Sequence, residues 1–233
     1  MKNKFKIWIL QTGEPLFCDG KDIRPMRAIN LASKLKKSGH IVEIISSQFY
    51  HQKKIHRKIK DNIENSRHSL VKESLIWSPG YRKNIGLMRF IDHFVLSVNL
   101  FFSLFFKLIQ EKPDLIYIGY PPVDWSFSTL IISKIFSVKT VLEVSDLWPD
   151  LFFEKTDNLV ARKIIKLIFT PYTIMAGFCA KAADRVCSPT IDMAQYFFNK
   201  YGSTPKDKEY IFETPLVPPT NLLSTYDKYF FEK

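Results

Sequence analysis

Short apolar runs, typical of strands buried in a parallel sheet, alternate along this chain with longer segments whose apolar residues recur at helical spacing. The clearest run is 140–144, which is β-branched and apolar except for Glu143. Other strands are predicted at 4–10, 41–46, 71–77, 114–119, 184–187 and 209–212. Helices are predicted at 24–37, 85–110, 125–136, 157–183 and 189–200, the fourth interrupted at Pro171. This alternation predicts an α/β fold: a Rossmann-like, doubly wound, mostly parallel sheet with helices on both faces.

The loop after the first strand contains two glycines, Gly13 and Gly20, which allow a ligand to approach the backbone closely. The following helix offers free N–H groups to an anion at its N-terminus. Arg24 and Arg27 lie one turn apart, so they either pair with phosphates or remain solvated surface charge. The loop lacks the GxGxxG spacing of dinucleotide-binding proteins, and the second strand ends without an acidic residue to bind a ribose. The sequence therefore argues against a dinucleotide-dependent oxidoreductase.

The turn after the strand 140–144 carries Asp146 and Trp148. Ligands of open α/β sheets bind just beyond the carboxyl ends of the strands, which makes this turn a candidate functional site. The structural alternative is that Asp146 caps a turn and Trp148 belongs to the core with its N–H satisfied.

Two further segments have a structural and a functional interpretation. The basic run from Lys53 to Lys60 is either a solvated loop or helix face, or a contact for anionic lipid or a substrate diphosphate. Helix 85–110 carries no charge between His93 and Lys107 and is apolar on more than one face. It either packs against the sheet and a neighbouring helix or presents the segment from Phe94 to Phe106 to a membrane interface.

The formal net charge of +11 favours an anionic partner, although lysine is enriched throughout the chain. Aromatic residues do not alternate with basic ones as in base-stacking proteins, so nucleic acid is not expected. Three scattered cysteines, Cys18, Cys179 and Cys187, indicate reduced thiols and a cytoplasmic protein. No signal peptide is evident, and no uncharged apolar stretch reaches the roughly 18 to 20 residues that a spanning helix needs.

Six segments in a fixed order also resemble a known family. They are QTGEPL at 11–16, DGKDIRPMRA at 19–28, SGHIV at 38–42, SPGY at 78–81, GYPP at 119–122 and DLWP at 146–149. Together they resemble the N-terminal half of family-4 GT-B glycosyltransferases, in particular the branch that builds bacterial O-antigen and capsule. The resemblance covers roughly residues 4–219.

The resemblance implies one of two Rossmann-like domains that face each other across a cleft. The N-terminal domain would receive a lipid-linked or glycan acceptor, and the C-terminal domain would hold the nucleotide-sugar donor. The implied reaction transfers a hexosyl or N-acetylhexosaminyl group during cell-surface polysaccharide synthesis, without a metal or cofactor. Such an enzyme is expected in the cytoplasm, peripheral to the inner face of the plasma membrane.

The resemblance also implies site residues. Asp146 would orient the acceptor hydroxyl or accept its proton. The substrate-binding residues implied in this way are Gly13, Glu14, Asp19, Gly20, Arg24, Arg27, Tyr81, Tyr120, Pro121 and Trp148.

The chain departs from the family pattern in three ways. Residues 1–219 correspond to the N-terminal domain, and 220–233 to a short tail where the interdomain linker and the second domain would begin. The donor-side pair of glutamates separated by seven residues occurs nowhere, and Thr214-Pro215 replaces an Asn-Pro pair. A separate donor-binding subunit is therefore expected. The alternative is an inactive truncated remnant, or a membrane-docking subunit of a split glycosyltransferase.

Overall fold

The structure is a computed structural model that describes residues 4–20, 23–58, 71–84, 86–150, 158–201 and 211–213. The strands in chain order are β1 (Lys6–Leu10), β2 (Ile41–Ser47), β3 (Phe49–Tyr50), β4 (Ile55–His56), β5 (Lys72–Ile76), β6 (Leu115–Tyr120), β7 (Lys139–Val144), β8 (Arg185–Ser188) and β9 (Ile211–Glu213). The helices are α1 (Arg27–Lys37), α2 (Leu87–Gln110), α3 (Val123–Ile135), α4 (Leu159–Ala182) and α5 (Ile191–Tyr201). The tail 220–233 lies outside the described residues.

Seven strands form one parallel sheet in the order β5-β2-β1-β6-β7-β8-β9, and β3 and β4 form a separate antiparallel hairpin. The chain first builds outward from β1 to β2 and β5, and then crosses to β6 and builds in the other direction. The strand order therefore reverses between β1 and β6, and this reversal opens a crevice at their carboxyl ends. The predicted doubly wound α/β fold is confirmed.

The sheet separates two apolar layers, and β1 shows how the sequence specifies both. Ile7 and Ile9 belong to the cluster under α1, whereas Trp8 and Leu10 belong to the larger cluster that includes residues of α2, α3 and α4. All four residues are buried because successive side chains of a strand point to opposite faces.

A glycine ends α1. Gly39 has a φ of +93°, and the N–H of His40 donates to the carbonyl of Leu35 at 3.1 Å. A residue in this left-handed region lets the chain turn back and satisfy the last carbonyls of the helix, and glycine adopts it at the lowest cost.

Two sequence-based expectations were wrong. Helix α4 continues through Pro171, although the loss of the proline N–H leaves the carbonyl of Leu167 without its helical donor. Leu167 is exposed, so water can satisfy that carbonyl. The described part of the basic run lies in the turn of the β3–β4 hairpin, in β4 and in the two residues after it, and the expectation of a solvated segment fails at Arg57, which is buried. Lys60 lies outside the described residues.

Two helices in the described part of the chain, Leu87–Gln110 and Arg162–Ala182, are long and apolar enough to cross a membrane by length and composition alone. Both helices contain charged residues, so the expectation that no uncharged apolar stretch reaches roughly 18 to 20 residues is unchanged. Helix α2 qualifies because it is apolar on two sides. Its inner row, spaced four residues apart, packs into the core and consists of Leu96, Leu100, Leu104 and Leu108.

Candidate functional site

A cavity of roughly 150 Å³ opens at the carboxyl edge of the sheet. It is lined by Thr12, Gly13, Ser47, Phe49, His51, Tyr81, Arg89, Asp92, His93, Leu96, Pro121, Pro122 and Trp148. These residues come from the turns after β1, β6 and β7, the end of β2, the hairpin, the loop after β5 and the first turns of α2. The turns that contain Gly13 and Trp148 therefore share one rim of the sheet and one cavity, as the topology of a parallel sheet requires.

Glycine is needed at two positions near this cavity. Gly13 has a φ of +78°, and its carbonyl accepts a hydrogen bond from Nε2 of Gln52 in the hairpin at 3.1 Å. At Gly119, near the end of β6, a Cβ atom would lie 1.3 Å from Oε1 of Gln11. The glycine at 119 lets the Gln11 side chain lie against β6, which holds the start of the first loop against the sheet.

Glu14 and Arg27 fix the start of α1 and do not line the cavity. The carboxylate of Glu14 accepts hydrogen bonds from the N–H of Ala28 at 2.9 Å and from Nε of Arg27 at 3.3 Å. Arg27 also forms a salt bridge from Nη1 to Glu143 on β7 at 3.1 Å. Of the two predicted roles of Arg27, neither is seen, because its guanidinium joins α1 to the first loop and the sheet. Arg24 is exposed.

Asp19 is likewise engaged inside the protein. Its carboxylate binds Arg57 through two hydrogen bonds, 2.8 Å to Nε and 2.9 Å to Nη2, and both side chains are buried. The same arginine donates to the carbonyls of Ser47 and Glu14 at 2.7 and 2.8 Å. Arg57 thus joins the first loop, β2 and the hairpin. Gly20, next in the chain, has a φ of +125° and lies outside the cavity lining.

Tyr81 lies in the cavity wall between two basic side chains. Its hydroxyl contacts Nδ1 of His51 at 2.5 Å, and Nζ of Lys54 lies 4.2 Å from the centre of its ring. Burial raises the pKa of the Tyr81 hydroxyl to about 12, so the phenol is neutral at physiological pH. Burial, together with the charges of Lys54 and Arg89, lowers the pKa of His51, so this imidazole is also neutral.

The first turns of α2 place Asp92 and His93 in the cavity wall. Oδ1 of Asp92 accepts a hydrogen bond from the N–H of Gly80 at 2.6 Å, which fixes the loop after β5. Burial lowers the pKa of His93 to about 3, with smaller contributions from Arg89 and His51. Nδ1 of this neutral imidazole is buried without a hydrogen-bond partner among the described residues. It can accept or donate one hydrogen bond to a bound ligand.

Trp148 forms an aromatic wall of the cavity, with Pro121 beside it in the lining. The rings of Tyr172 and Phe169 support the indole edge-on, at centroid distances of 5.3 and 5.8 Å. Tyr120 is fully buried beneath the cavity, and its hydroxyl donates to the carbonyl of Trp148. Tyr120 therefore positions the turn after β7 and does not line the cavity.

Asp146 is half-buried on the same turn and is not part of the cavity lining. Its Oδ1 accepts a hydrogen bond from the N–H of Leu147 at 2.8 Å, as in the capping alternative. Its other carboxylate oxygen forms no hydrogen bond that the described residues show. The catalytic role of Asp146 stays a prediction.

Four titratable residues of the cavity lining were missed as site residues by sequence reasoning: His51, Arg89, Asp92 and His93. The last three had a usable signal, because they are the titratable side chains of α2 ahead of Lys107, grouped at the end that follows a strand-ending turn. A polar cluster at one end of an otherwise apolar helix indicates that this end faces a ligand or solvent. Within the described residues, no three His, Cys, Asp or Glu side chains form a metal ligand set.

Solved structures with a similar fold include a complex with UDP-L-rhamnose, a UDP-GlcNAc 2-epimerase and a glycotransferase. Arabidopsis thaliana UGT89C1 in complex with UDP-L-rhamnose matches with a TM-score of 0.55 and 12% identity, over 97% of this chain and 56% of that one. UDP-GlcNAc 2-epimerase from Neisseria meningitidis bound to UDP-GlcNAc matches with a TM-score of 0.51 and 13% identity, over 98% of this chain and 54% of that one. The glycotransferase of kitacinnamycin matches with a TM-score of 0.50 and 8% identity, over 80% of this chain and 46% of that one. The fold is that of a GT-B half.

The chain spans about half the length of these structures, and sequence identities this low show the fold alone. The sequence matches no protein-family model and no curated protein. The likeness supports the expected GT-B-like fold. The resemblance to the O-antigen and capsule branch stays a prediction.

Proposed function

We propose that this chain is the acceptor-binding domain of a GT-B glycosyltransferase that works with a separate donor-binding domain. The observation that carries the proposal is the cavity at the topological switch point of the sheet, where the ring of Trp148 lies 6.4 Å from the imidazole of His93, whose buried Nδ1 has no hydrogen-bond partner among the described residues. An aromatic face and a few fixed polar groups are the usual way to bind a sugar-like, hydroxyl-bearing ligand. The proposed acceptor is lipid-linked or a glycan in cell-surface polysaccharide synthesis.

In the proposed reaction, the N–H at Nδ1 of His93 donates a hydrogen bond to the oxygen of an acceptor hydroxyl group and orients it, so the hydroxyl proton remains free for transfer. The hydroxyl oxygen then bonds to the anomeric carbon of the donor sugar, and the nucleoside diphosphate leaves with the electron pair. The hydroxyl proton passes to the carboxylate of Asp146, which lies two residues before Trp148. The domain contributes positioning, and the donor-binding domain stabilises the leaving diphosphate, so no metal is required.

The test is to co-express the full chain with candidate polypeptides that carry the paired glutamates, and to measure sugar transfer from nucleotide-sugars to a lipid extract. Transfer that requires both chains, and that falls at least about tenfold in His93→Ala, would support the proposal. His40→Ala is the matched control, because His40 precedes β2 at the opposite edge of the sheet. The proposal would be refuted if His93→Ala and His40→Ala reduced sugar transfer equally, or if none of the co-expressed complexes bound a nucleotide-sugar.

A second function, docking on a membrane, is favoured by the outer face of α2. A row of large apolar side chains lies opposite the row that packs into the core: Leu87, Ile91, Phe94, Val98, Phe102, Phe106 and Ile109. Phe94, Phe102 and Phe106 are 65%, 56% and 61% exposed, which no contact within the described fold explains. We infer that the segment from Phe94 to Phe106 enters the membrane interface, aided by exposed lysines in the run from Lys53 to Lys60.

A further inference from the structure

Two cations meet at the ring of Tyr81, in the wall of the cavity. Nζ of Lys54 and the guanidinium carbon of Arg89 lie 4.2 and 5.8 Å from the ring centre. Asn84 binds both, since its Oδ1 accepts from Nζ of Lys54 at 2.6 Å and its carbonyl accepts from Nη1 of Arg89 at 3.0 Å. Neither cation forms a salt bridge with a carboxylate in the described part of the chain, and the buried Nε of Arg89 has no partner there.

The local backbone holds Lys54 in this position at a cost. Lys54 has a φ of +56°, in the left-handed region. This conformation costs residues other than Gly, Asn and Asp about 1 to 2 kcal/mol. Its N–H donates to the carbonyl of Tyr50 at 2.8 Å, which closes the hairpin turn. The turn then directs Nζ back to His51, at 2.9 Å from Nδ1. A glycine would form this turn more easily but could not place a charge beside Tyr81.

The surroundings do not neutralise this pair. The charge of Arg89 lowers the pKa of Lys54, after the effect of burial, which indicates that the two cations repel each other. Asp92 offsets part of this charge, since it raises the pKa of Lys54, but one carboxylate faces two cations, so a net positive charge remains. His51 is neutral, so it adds a hydrogen-bonding group and no charge. The cluster therefore favours a ligand that brings negative charge.

We propose that Lys54 and Arg89 form a subsite for an anionic group of the acceptor, a phosphate ester or diphosphate, beside the hydroxyl-binding region at His93 and Trp148. This proposal rests on the proposed function, because it specifies the chemistry of the acceptor. A guanidinium with free N–H donors and an ammonium together match several phosphate oxygens. The neutral phenol of Tyr81 between them adds a further hydrogen-bond donor once a ligand displaces its contact with His51.

The first test is calorimetric titration of the full-length protein with inorganic pyrophosphate at low and physiological salt. Arg89→Gln and Lys54→Gln should each weaken binding about tenfold or more, since each removes a charge-assisted contact. Lys112→Gln is the matched control, because it removes the same charge from an exposed lysine after α2, at the opposite edge of the sheet. Arg89→Lys keeps the charge and should retain part of the affinity, which separates loss of the subsite from loss of folding.

The second test separates a soluble phosphate from a lipid headgroup. The same variants are compared for binding to phosphatidylglycerol vesicles in a background in which Phe94, Phe102 and Phe106 are serine. Weaker binding of Arg89→Gln and Lys54→Gln to pyrophosphate supports the subsite and indicates a soluble phosphate group as its ligand. Weaker binding of these variants to the vesicles supports the subsite and indicates a lipid headgroup. Equal weakening by Lys112→Gln, or no weakening by Arg89→Gln and Lys54→Gln, overturns it. If sugar transfer still depends on His93 in that case, the proposed function stands without the anionic subsite.

Discussion

Arg57 is expected to be the side chain whose loss most damages the site region, although it belongs to a run of surface-like basic residues. It makes two hydrogen bonds to Asp19 and one each to the carbonyls of Ser47 and Glu14, all between 2.7 and 2.9 Å. Its guanidinium also stacks on Tyr50 at 4.5 Å. The proposed perturbation is Arg57→Met, which keeps an apolar side chain of similar length and removes every donor.

The size of the effect follows from what the variant leaves behind. Asp19 would remain a buried carboxylate with one remaining partner, the N–H of Leu16 at 2.8 Å. Removing one member of a buried, hydrogen-bonded ion pair costs about 3 to 5 kcal/mol. The carbonyls of Ser47 and Glu14 lose their donor as well. With a urea m-value of about 2 to 3 kcal/mol/M, the unfolding midpoint should fall by roughly 1 to 2.5 M.

The measurement is urea unfolding at pH 7 of the wild type, Arg57→Met, Asp19→Asn and the double variant. The double variant should be less destabilised than the sum of the single ones, because the unpaired buried charge is then removed. Lys58→Met, which changes the exposed neighbour, should shift the free energy of unfolding by less than about 0.5 kcal/mol. A loss below about 1 kcal/mol in Arg57→Met, or simple additivity, would show that the pair is solvated in solution.

Three further predictions test the remaining features. Asp146→Asn in the two-chain enzyme should lower turnover at least about tenfold, and unchanged turnover would leave Asp146 with its capping role alone. Changing Phe94, Phe102 and Phe106 to Ser should reduce flotation with anionic vesicles without changing the unfolding midpoint; flotation insensitive to this change and to salt would rule out the membrane contact. Burial raises the pKa of Asp124 from 3.8 to about 7, so its stabilising contribution is present below pH 4 and lost as the pH rises toward 7. Asp124→Asn should therefore gain stability over the wild type at pH 8 but not at pH 4, and an equal effect in urea unfolding at both values would contradict this.

The inner strands β1, β2, β6 and β7 could be predicted from local sequence because they are buried on both faces, so a short apolar run is enough to identify them. The turns that contain Gly13 and Trp148 could be placed at the same edge of the sheet because both follow strands of a parallel sheet. The roles of Asp19 and Arg57 could not be predicted, because the two residues are 38 positions apart and meet only when the hairpin folds over the first loop. The family resemblance implied that Asp19 is a cleft residue, and the neighbouring basic residues made Arg57 look like surface charge.

The sequence alone thus determined the doubly wound sheet, the glycine turn at Gly13 and the placement of that turn on the same edge as Trp148. Only the tertiary structure decided which polar residues reach the cavity. Glu14 accepts the buried N–H of Ala28 at the start of α1, and Arg27 pairs with the buried carboxylate of Glu143 on β7, because both of these groups require a partner. Nδ1 of His93, in contrast, has no hydrogen-bond partner among the described residues. Satisfaction of buried polar groups depends on contacts between distant segments, and no local pattern of residues encodes it.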